Sequence, residues 1–200
     1  MDSEDWNQRY AGRELVWTSE ANRFLVQEAA TLASARALDL ACGEGRNAVW
    51  LAERGWQVTG VDFSTVGVAK AQRLADARGV TVEWVTANVL DHRPKPAAFE
   101  LVIIFYLQVP ATQRTPIVRS AAGAVAPGGT FLLVAHDASN IAAGYGGPQD
   151  PAVLYAAQDI VTDLDGTGLQ IERSDRVQRP VETSEGSRMA LDALVRARRS

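Results

Sequence analysis

Residues 37–47, ALDLACGEGRN, decide how this chain is read. Leu38 and Leu40 form the apolar part of a short buried strand, Gly43 and Gly45 make a turn, and residues 47–54 continue as a helix with one apolar face. A turn without Cβ atoms lets a ligand approach the main chain closely.

Working outward, Gly55 ends that helix and WQVTGVDFS (56–64) is a second strand, with Val58 and Val61 inward, closing on Asp62. Ser64 then caps a helix whose inward positions are Val68, Ala71, Leu74 and Ala75 and whose end is Gly79. VTVEWVTANV (80–89) reads as a third strand with alternating Val80, Val82 and Trp84. After the proline-broken loop 91–98, FELVIIFYL (99–107) is a continuous apolar run, as expected of a central strand covered on both faces. Residues 112–125 predict a helix with Ile117, Val118 and Ala121 on one face, residues 127–129 a Pro-Gly-Gly turn, and TFLLVAHD (130–137) a fifth strand. Glycine-rich 138–151 is expected to be mobile, and 152–164 to be helical. The period-two stretches 169–180 and 187–199, joined by ETSEG, predict an antiparallel pair of strands. Upstream, Trp6, Tyr10 and Trp17 make the first twenty residues too aromatic for a loose tail, and Ser19 is the expected cap of a helix over 20–33 carrying Phe24, Leu25, Ala29 and Leu32. Alternation of strand and helix gives an α/β class with a doubly wound, mostly parallel sheet.

Two hundred residues of near-average composition fit one domain, 1–200. The apolar runs are far shorter than the roughly 20 residues that span a bilayer. The N-terminus MDSEDWNQRY is acidic rather than signal-like, so a soluble cytoplasmic protein with no membrane partner is expected. One cysteine and two histidines offer no zinc-ligand cluster, hence no metal, and a net charge of −4 argues against nucleic acid as a partner.

In an open parallel sheet, ligands sit beyond the carboxyl ends of the strands. Asp62 lies there, seventeen positions after Gly45 (62 − 45), where a carboxylate can accept hydrogen bonds from both hydroxyls of a ribose. Gly43-x-Gly45-x-x-Ala48 also satisfies the loose dinucleotide fingerprint, which keeps an NAD(P)-dependent reductase in view. Asp39 points elsewhere: a carboxylate near the end of the first strand is unwelcome beside a pyrophosphate and suits a cation. S-adenosylmethionine combines a ribose and an adenine with an ammonium and a sulfonium, and carries no phosphate.

ALDLACGEGRN, VDFS, TANVLD, LVIIFYL, the Pro-Gly-Gly before TFLLVA and the antiparallel tail together resemble the class I S-adenosylmethionine-dependent methyltransferases. The finer pattern, GRN, the segment from Trp6 to Trp17 and the terminal LVRARR, is most similar to the small tellurite-resistance and thiopurine-type enzymes. The resemblance implies a Rossmann-like sheet of seven strands. Residues 1–34 are expected to form an N-terminal helical segment, either sealing the core or acting as a lid over a ligand, with a cofactor-binding half over 35–136 and a substrate-side half over 137–200. Asp39 and the backbone of Ala41, Cys42, Gly43 and Gly45 would hold the methionine end, Asp62 the ribose, Phe63 an adenine face, and Asn88 with the Val89 amide the adenine edge. Arg46, Ser64 and Phe105 complete the cofactor set. Ala41 stands where the family commonly has glycine, and Asn88 where it often has Asp. Cys42 reads as a small buried filler rather than a nucleophile.

The fourth strand ends without the Asn/Asp-Pro-Pro-aromatic run of amine methyltransferases, which implies a small-molecule acceptor: a chalcogen oxyanion, a thiol or an aromatic heterocycle. Its pocket would draw on Trp17, Tyr106, His136, Tyr145 and Tyr155, with His136 and Tyr106 as the candidate catalytic groups. A protein that binds S-adenosylmethionine without turnover is the alternative outside enzymes.

Overall fold

The computed structural model describes residues 3–12 and 14–200; Met1, Asp2 and Arg13, which belong to the expected lid segment, lie outside the described residues. Seven strands form one sheet in the order β3-β2-β1-β4-β5-β7-β6. They are β1 (Arg36–Leu40), β2 (Gln57–Asp62), β3 (Glu83–Thr86), β4 (Phe99–Phe105), β5 (Val125–His136), β6 (Leu169–Thr183) and β7 (Gly186–Arg199). β1, β2 and β3 pair in parallel, whereas β7 runs antiparallel to both β5 and β6. The Rossmann-like α/β sheet with an antiparallel C-terminal pair is therefore as the sequence predicts.

The chain divides into two compact units. One runs through Arg93 and takes in Ala98–Ile103; the other comprises Pro94–Ala97 and Ile104–Ser200. In the first, helices α1 (Ser3–Tyr10), α2 (Arg23–Ala29), α3 (Arg46–Ala52) and α4 (Thr65–Arg78) accompany β1 to β3. Its core includes Leu25, Leu38, Leu51, Leu101 and Ile103, all fully buried. In the second, α5 (Ala111–Ala124), α6 (Asn140–Ala143) and α7 (Ala157–Leu164) accompany β5 to β7 around Ile117, Phe131, Leu132, Leu133 and Ile160.

Several boundaries differ from expectation, each for a local reason. Helix α2 starts at Arg23 rather than residue 20, because the cap is Asn22, whose Oδ1 accepts from the Phe24 amide, and not Ser19. Asn22 is in turn held by its own amide, which donates to Asn47 Oδ1 at 2.9 Å, so the Asn of GRN ties α2 to the turn. β3 begins at Glu83, since Gly79 at φ 68 ends α4 and the Val80 amide turns back to the Ala75 carbonyl. The Pro-Gly-Gly of 127–129 is absorbed into the start of β5. The helix expected over 152–164 splits into a 3₁₀ turn, Pro151–Val153, and α7. The glycine-rich 138–151 contains α6 and is stitched to β7 by Asn140, whose Oδ1 accepts from the Leu191 amide at 2.7 Å.

Candidate functional site

In the first unit, the backbone after β1 enters positive φ at Ala41 (59°), Gly43 (54°) and Gly45 (80°). The Cys42 amide donates to the Val61 carbonyl and Gly45 to Cys42, so the turn folds back on itself beside β2. At the end of β2, Asp62 joins two loops: Oδ2 accepts from the Gly43 amide at 2.8 Å and Oδ1 from the Ser64 amide at 2.9 Å. Burial raises its carboxyl above the ordinary range, against the pull of the Ser64, Gly43 and Phe63 amides. Each carboxylate oxygen keeps acceptor capacity beyond its one amide. Ser64 caps α4 through the Gly67 amide.

Asp39 is the outlier. It is 1% exposed, and neither carboxylate oxygen has a hydrogen-bond partner among the described residues. Burial, reinforced by the Asp62 charge, pushes its carboxyl up to about 8; the Arg46 guanidinium and the nearby Ala48 amide offset this only in part. A buried acid left without partners costs free energy unless something absent from the chain neutralises it.

The glycines answer to protein neighbours as much as to any ligand. A Cβ on Gly45 would lie 2.6 Å from Ala71 Cβ and 2.7 Å from Trp84 Cη2, and one on Gly43 would lie 2.9 Å from the Tyr10 hydroxyl. The N-terminal segment thus reaches the turn. Asn7 Oδ1 accepts from the Ser64 hydroxyl at 2.7 Å, and the Val16 and Trp17 amides each donate to Glu44 at 3.1 Å. Glu44 is buried and pairs with Lys70 at 2.9 Å, whose ammonium also donates to the Glu14 carbonyl at 2.6 Å. Tyr10 is buried, and its burial beside Asp62 raises the phenol above its usual value. Sequence reasoning missed Asn7, Glu44 and Lys70. A glutamate between turn glycines and a lysine on a helix both look solvent-facing, and only the fold brings them together.

The other cofactor positions fall as follows. Phe63, Val89 and Arg46 are half-buried, and Asn88 is exposed with its Oδ1 accepting from the Leu90 amide at 3.0 Å. The Cys42 thiol is pushed well above its usual value by burial and by the charges of Asp39 and Asp62, consistent with a filler rather than a thiolate. Trp17 is 42% exposed under the Arg9 guanidinium.

The second unit builds a different arrangement. β4 ends at Phe105, which is buried, and Tyr106 follows at φ 56. Such a conformation is uncommon for a bulky residue and marks strain. The Tyr106 hydroxyl donates to Asp192 Oδ2 at 2.8 Å, and its ring stacks tilted on His136 with centroids 4.9 Å apart. His136 is the last residue of β5 and the register partner of Asp192 on β7. Its Nδ1 lies 3.3 Å from Asp192 Oδ1, within ion-pair distance yet off the line of a well-formed hydrogen bond. Arg179 on β6 donates through Nε to Asp192 Oδ2 at 2.7 Å. Burial alone would raise the Asp192 carboxyl, but His136, Arg179 and Tyr106 hold it below its ordinary value. Gln108 accepts from the His136 amide at 2.8 Å and donates to the Val153 carbonyl at 2.8 Å.

Two pocket residues are placed otherwise than expected. Tyr155 is a core residue of this unit, 2% exposed, because its hydroxyl donates to the Leu107 carbonyl and its ring lies under Arg114. Tyr145 is 44% exposed. Asp192 and Arg179 were not foreseen. The available signal was an acid inside the apolar run ALDALV, and its partner follows only from the β5/β7 register. Two open clefts, of about 420 Å³ beside Trp50 and Trp56 and about 430 Å³ beside Asp137 and Arg176, include none of Asp39, Asp62 or His136. Among the described residues no group of acids, histidines or cysteine could hold a metal ion, and no helix is long and apolar enough to cross a membrane.

Residues 37–129 match the model of a methyltransferase domain family. A ubiquinone biosynthesis O-methyltransferase of Idiomarina loihiensis is 31% identical over 100 residues, covering 49% of this chain and 41% of that protein. The chain thus spans less than half the length of the curated relatives it matches. A structure from echinomycin biosynthesis, where a disulfide bond is converted into a thioacetal group, superposes with a TM-score of 0.80 at 22% identity, over 99% of this chain and 91% of that one. TehB from Haemophilus influenzae gives 0.74 at 14% identity, over 99% and 67%. These similarities show a shared fold.

Proposed function

We propose that this chain, whose residues 37–129 match a methyltransferase domain family, is a class I enzyme that transfers a methyl group from S-adenosylmethionine to a small molecule. The observation that carries the reading is Asp39: a carboxylate 1% exposed, unpartnered at the carboxyl end of β1, calls for a cation. The ammonium of a phosphate-free nucleoside meets that need, and the pyrophosphate of a dinucleotide does not. When bound, S-adenosylmethionine supplies a methyl carbon activated by its sulfonium. The residues that would hold it are Asp39, the backbone from Ala41 to Gly45 and Arg46 for the amino-acid end. Asp62 serves the ribose, and Phe63, Ser64, Asn88 and Val89 the adenine and its rim.

For the chain's own residues the work is orientation and exclusion of water, since an in-line displacement at an activated carbon gains most from positioning. The N-terminal segment, fixed to the turn by Asn7, Tyr10 and the Glu44–Lys70 pair, acts as the lid. Tyr10 shields Gly43, which places an aromatic ring over the backbone that faces the amino-acid end. The small-molecule acceptor is handled by the second unit. An O-methyltransferase among the relatives and the absence of an amine-methyltransferase run after β4 support this.

Calorimetry with S-adenosylhomocysteine and with NAD tests the reading. Saturable binding of the first, weakened more than tenfold in Asp39→Asn and lost in Asp62→Ala, is expected. Tight NAD binding with no response to S-adenosylhomocysteine would overturn it.

A further inference from the structure

Asp192 is fully buried and accepts from Tyr106 at 2.8 Å and Arg179 at 2.7 Å, with His136 Nδ1 at 3.3 Å. We propose that Asp192 is the positioning residue that holds His136 with its proton on Nδ1, and that the bare Nε2 takes the proton of an un-ionised hydroxyl acceptor. The inference rests on the methyltransferase reading and narrows its substrate to a weakly acidic O–H, a phenol or an enol.

The geometry gives the imidazole little choice. Nδ1 faces a carboxylate held ionised by its other donors, so that nitrogen must carry hydrogen; a bare Nδ1 would set a lone pair against a negative oxygen. The ring is gripped from several sides. Tyr106 lies against it at 4.9 Å, a Cβ on Gly147 would come within 2.9 Å of Nδ1, and Gln108 fixes the His136 backbone. No hydrogen bond to Nε2 occurs among the described residues, and the side chain keeps 15% of its surface exposed, enough for a small molecule to reach it. The long, poorly aligned Nδ1 contact is of the kind found in ligand-free sites and tightens in the substrate complex.

Arg179 decides what kind of base this is. Its guanidinium neutralises Asp192 before the histidine does, so the Asp192–Arg179 pair orients the ring without adding a full negative charge beside it. A neutral imidazole so placed suits an acceptor that must lose a proton. A chalcogen oxyanion has no proton to lose, and a thiol ionises without such help. In the step itself the acceptor O–H proton moves to Nε2. The oxygen forms the new bond to the methyl carbon, and the carbon–sulfur bond breaks with its electron pair staying on sulfur as the thioether. The imidazolium left behind faces Asp192, as the triad pattern of acid, histidine and nucleophile requires.

The chain has only two histidines, so a His92→Asn background leaves His136 as the sole imidazole in long-range proton–nitrogen spectra. The expected tautomer is protonated at Nδ1 and bare at Nε2, and Asp192→Asn, whose amide can donate to Nδ1, should move the proton to Nε2. An Nε2–H tautomer in the parent, or no change in Asp192→Asn, overturns the positioning role. Labelled S-adenosylmethionine is then offered 2-naphthol, 2-thionaphthol and selenite. Transfer to the naphthol is expected, with His136→Gln and Asp192→Asn lowering kcat at least tenfold and leaving KM nearly unchanged. Transfer only to the thiol or to selenite, no transfer to the hydroxyl compound, or undiminished turnover in His136→Gln, overturns the assignment. S-adenosylhomocysteine binding separates the failures: binding with the wrong tautomer ends this inference alone, whereas absent binding ends the methyltransferase reading beneath it.

Discussion

Each compact unit buries a carboxylate of 1% exposure or less, Asp39 near the end of β1 and Asp192 within β7 opposite the end of β5, and the two are treated in opposite ways. Asp39 in the first unit has no hydrogen-bond partner among the described residues, and its carboxyl is pushed up to about 8. Asp192 in the second receives Tyr106, Arg179 and the nearby His136, and its carboxyl is held below the ordinary range. A satisfied acid orders its neighbours, while an unsatisfied one is left waiting for charge from outside. The contrast underlies the proposed roles, ligand recognition for Asp39 and internal positioning for Asp192.

Truncation should separate them most sharply. Asp192→Ala strands a half-buried guanidinium and removes the acceptor of Tyr106, and is expected to cost about 3 kcal/mol in urea unfolding. Asp39→Asn removes a buried carboxyl that no hydrogen bond among the described residues satisfies and should leave the free protein at least as stable near pH 8. Comparable losses in both variants would erase the distinction.

A second buried acid, Glu44, tests whether partnering in the first unit also brings order. Lys70→Met leaves Glu44 with two amide donors and no cation, an expected loss of about 2 kcal/mol. Because the pair fixes the Val16–Trp17 backbone, limited proteolysis near residue 14 should accelerate in this variant. Unchanged cleavage would detach the N-terminal segment from the ion pair.

Proton linkage distinguishes the two acids more gently. In unfolded chain Asp39 ionises near the model-peptide value of about 3.9, whereas in the fold it stays protonated up to about 8. Between these limits the folded state holds a proton that the unfolded state has lost, so stability falls as pH rises, and Asp62, also raised, adds in the same sense. Binding of a cation next to Asp39 reverses its preference and expels the proton. S-adenosylhomocysteine affinity should therefore climb with pH, by up to about tenfold per unit below the folded value. Arg46 and Cys42 also face this acid, and the Asp39→Asn control isolates its share. A flat profile in the parent would mean that Asp39 is ionised before the ligand arrives.

The sheet, its order and its antiparallel tail were legible because strand period, glycine turns and the apolar run at 99–107 all act locally. So were Asp39 and Asp62, whose positions at strand ends follow from chain order alone. What stayed hidden depends on pairing between distant strands. Asp192 meets His136 only through the β5/β7 register, and Arg179 joins them only once β6 lies beside β7. The same limit explains Tyr155, whose hydroxyl is consumed by a carbonyl 48 positions away. Gly45 illustrates a further ambiguity: the residue was correctly expected to need a bare backbone, but Ala71 and Trp84 impose that need.

The smallest expected effect concerns Ala41, which breaks the glycine pattern of the turn. It adopts φ 59, a left-handed conformation in which a Cβ crowds the following carbonyl, costing about 1 kcal/mol. Ala41→Gly removes that crowding but frees the unfolded chain, so the net gain should stay under about 1 kcal/mol. The alanine can persist because the turn is over-determined: Cys42 is held by Val61, Gly43 by Asp62 and Gly45 by Cys42. Were those bonds the anchor, Asp62→Asn would enlarge the benefit of Ala41→Gly, a coupling that a double-mutant cycle measures directly. Additive effects would show instead that Ala41 strain and the Asp62 tether act independently, and that the orphaned Asp39 sits beside a turn rigid without its neighbour.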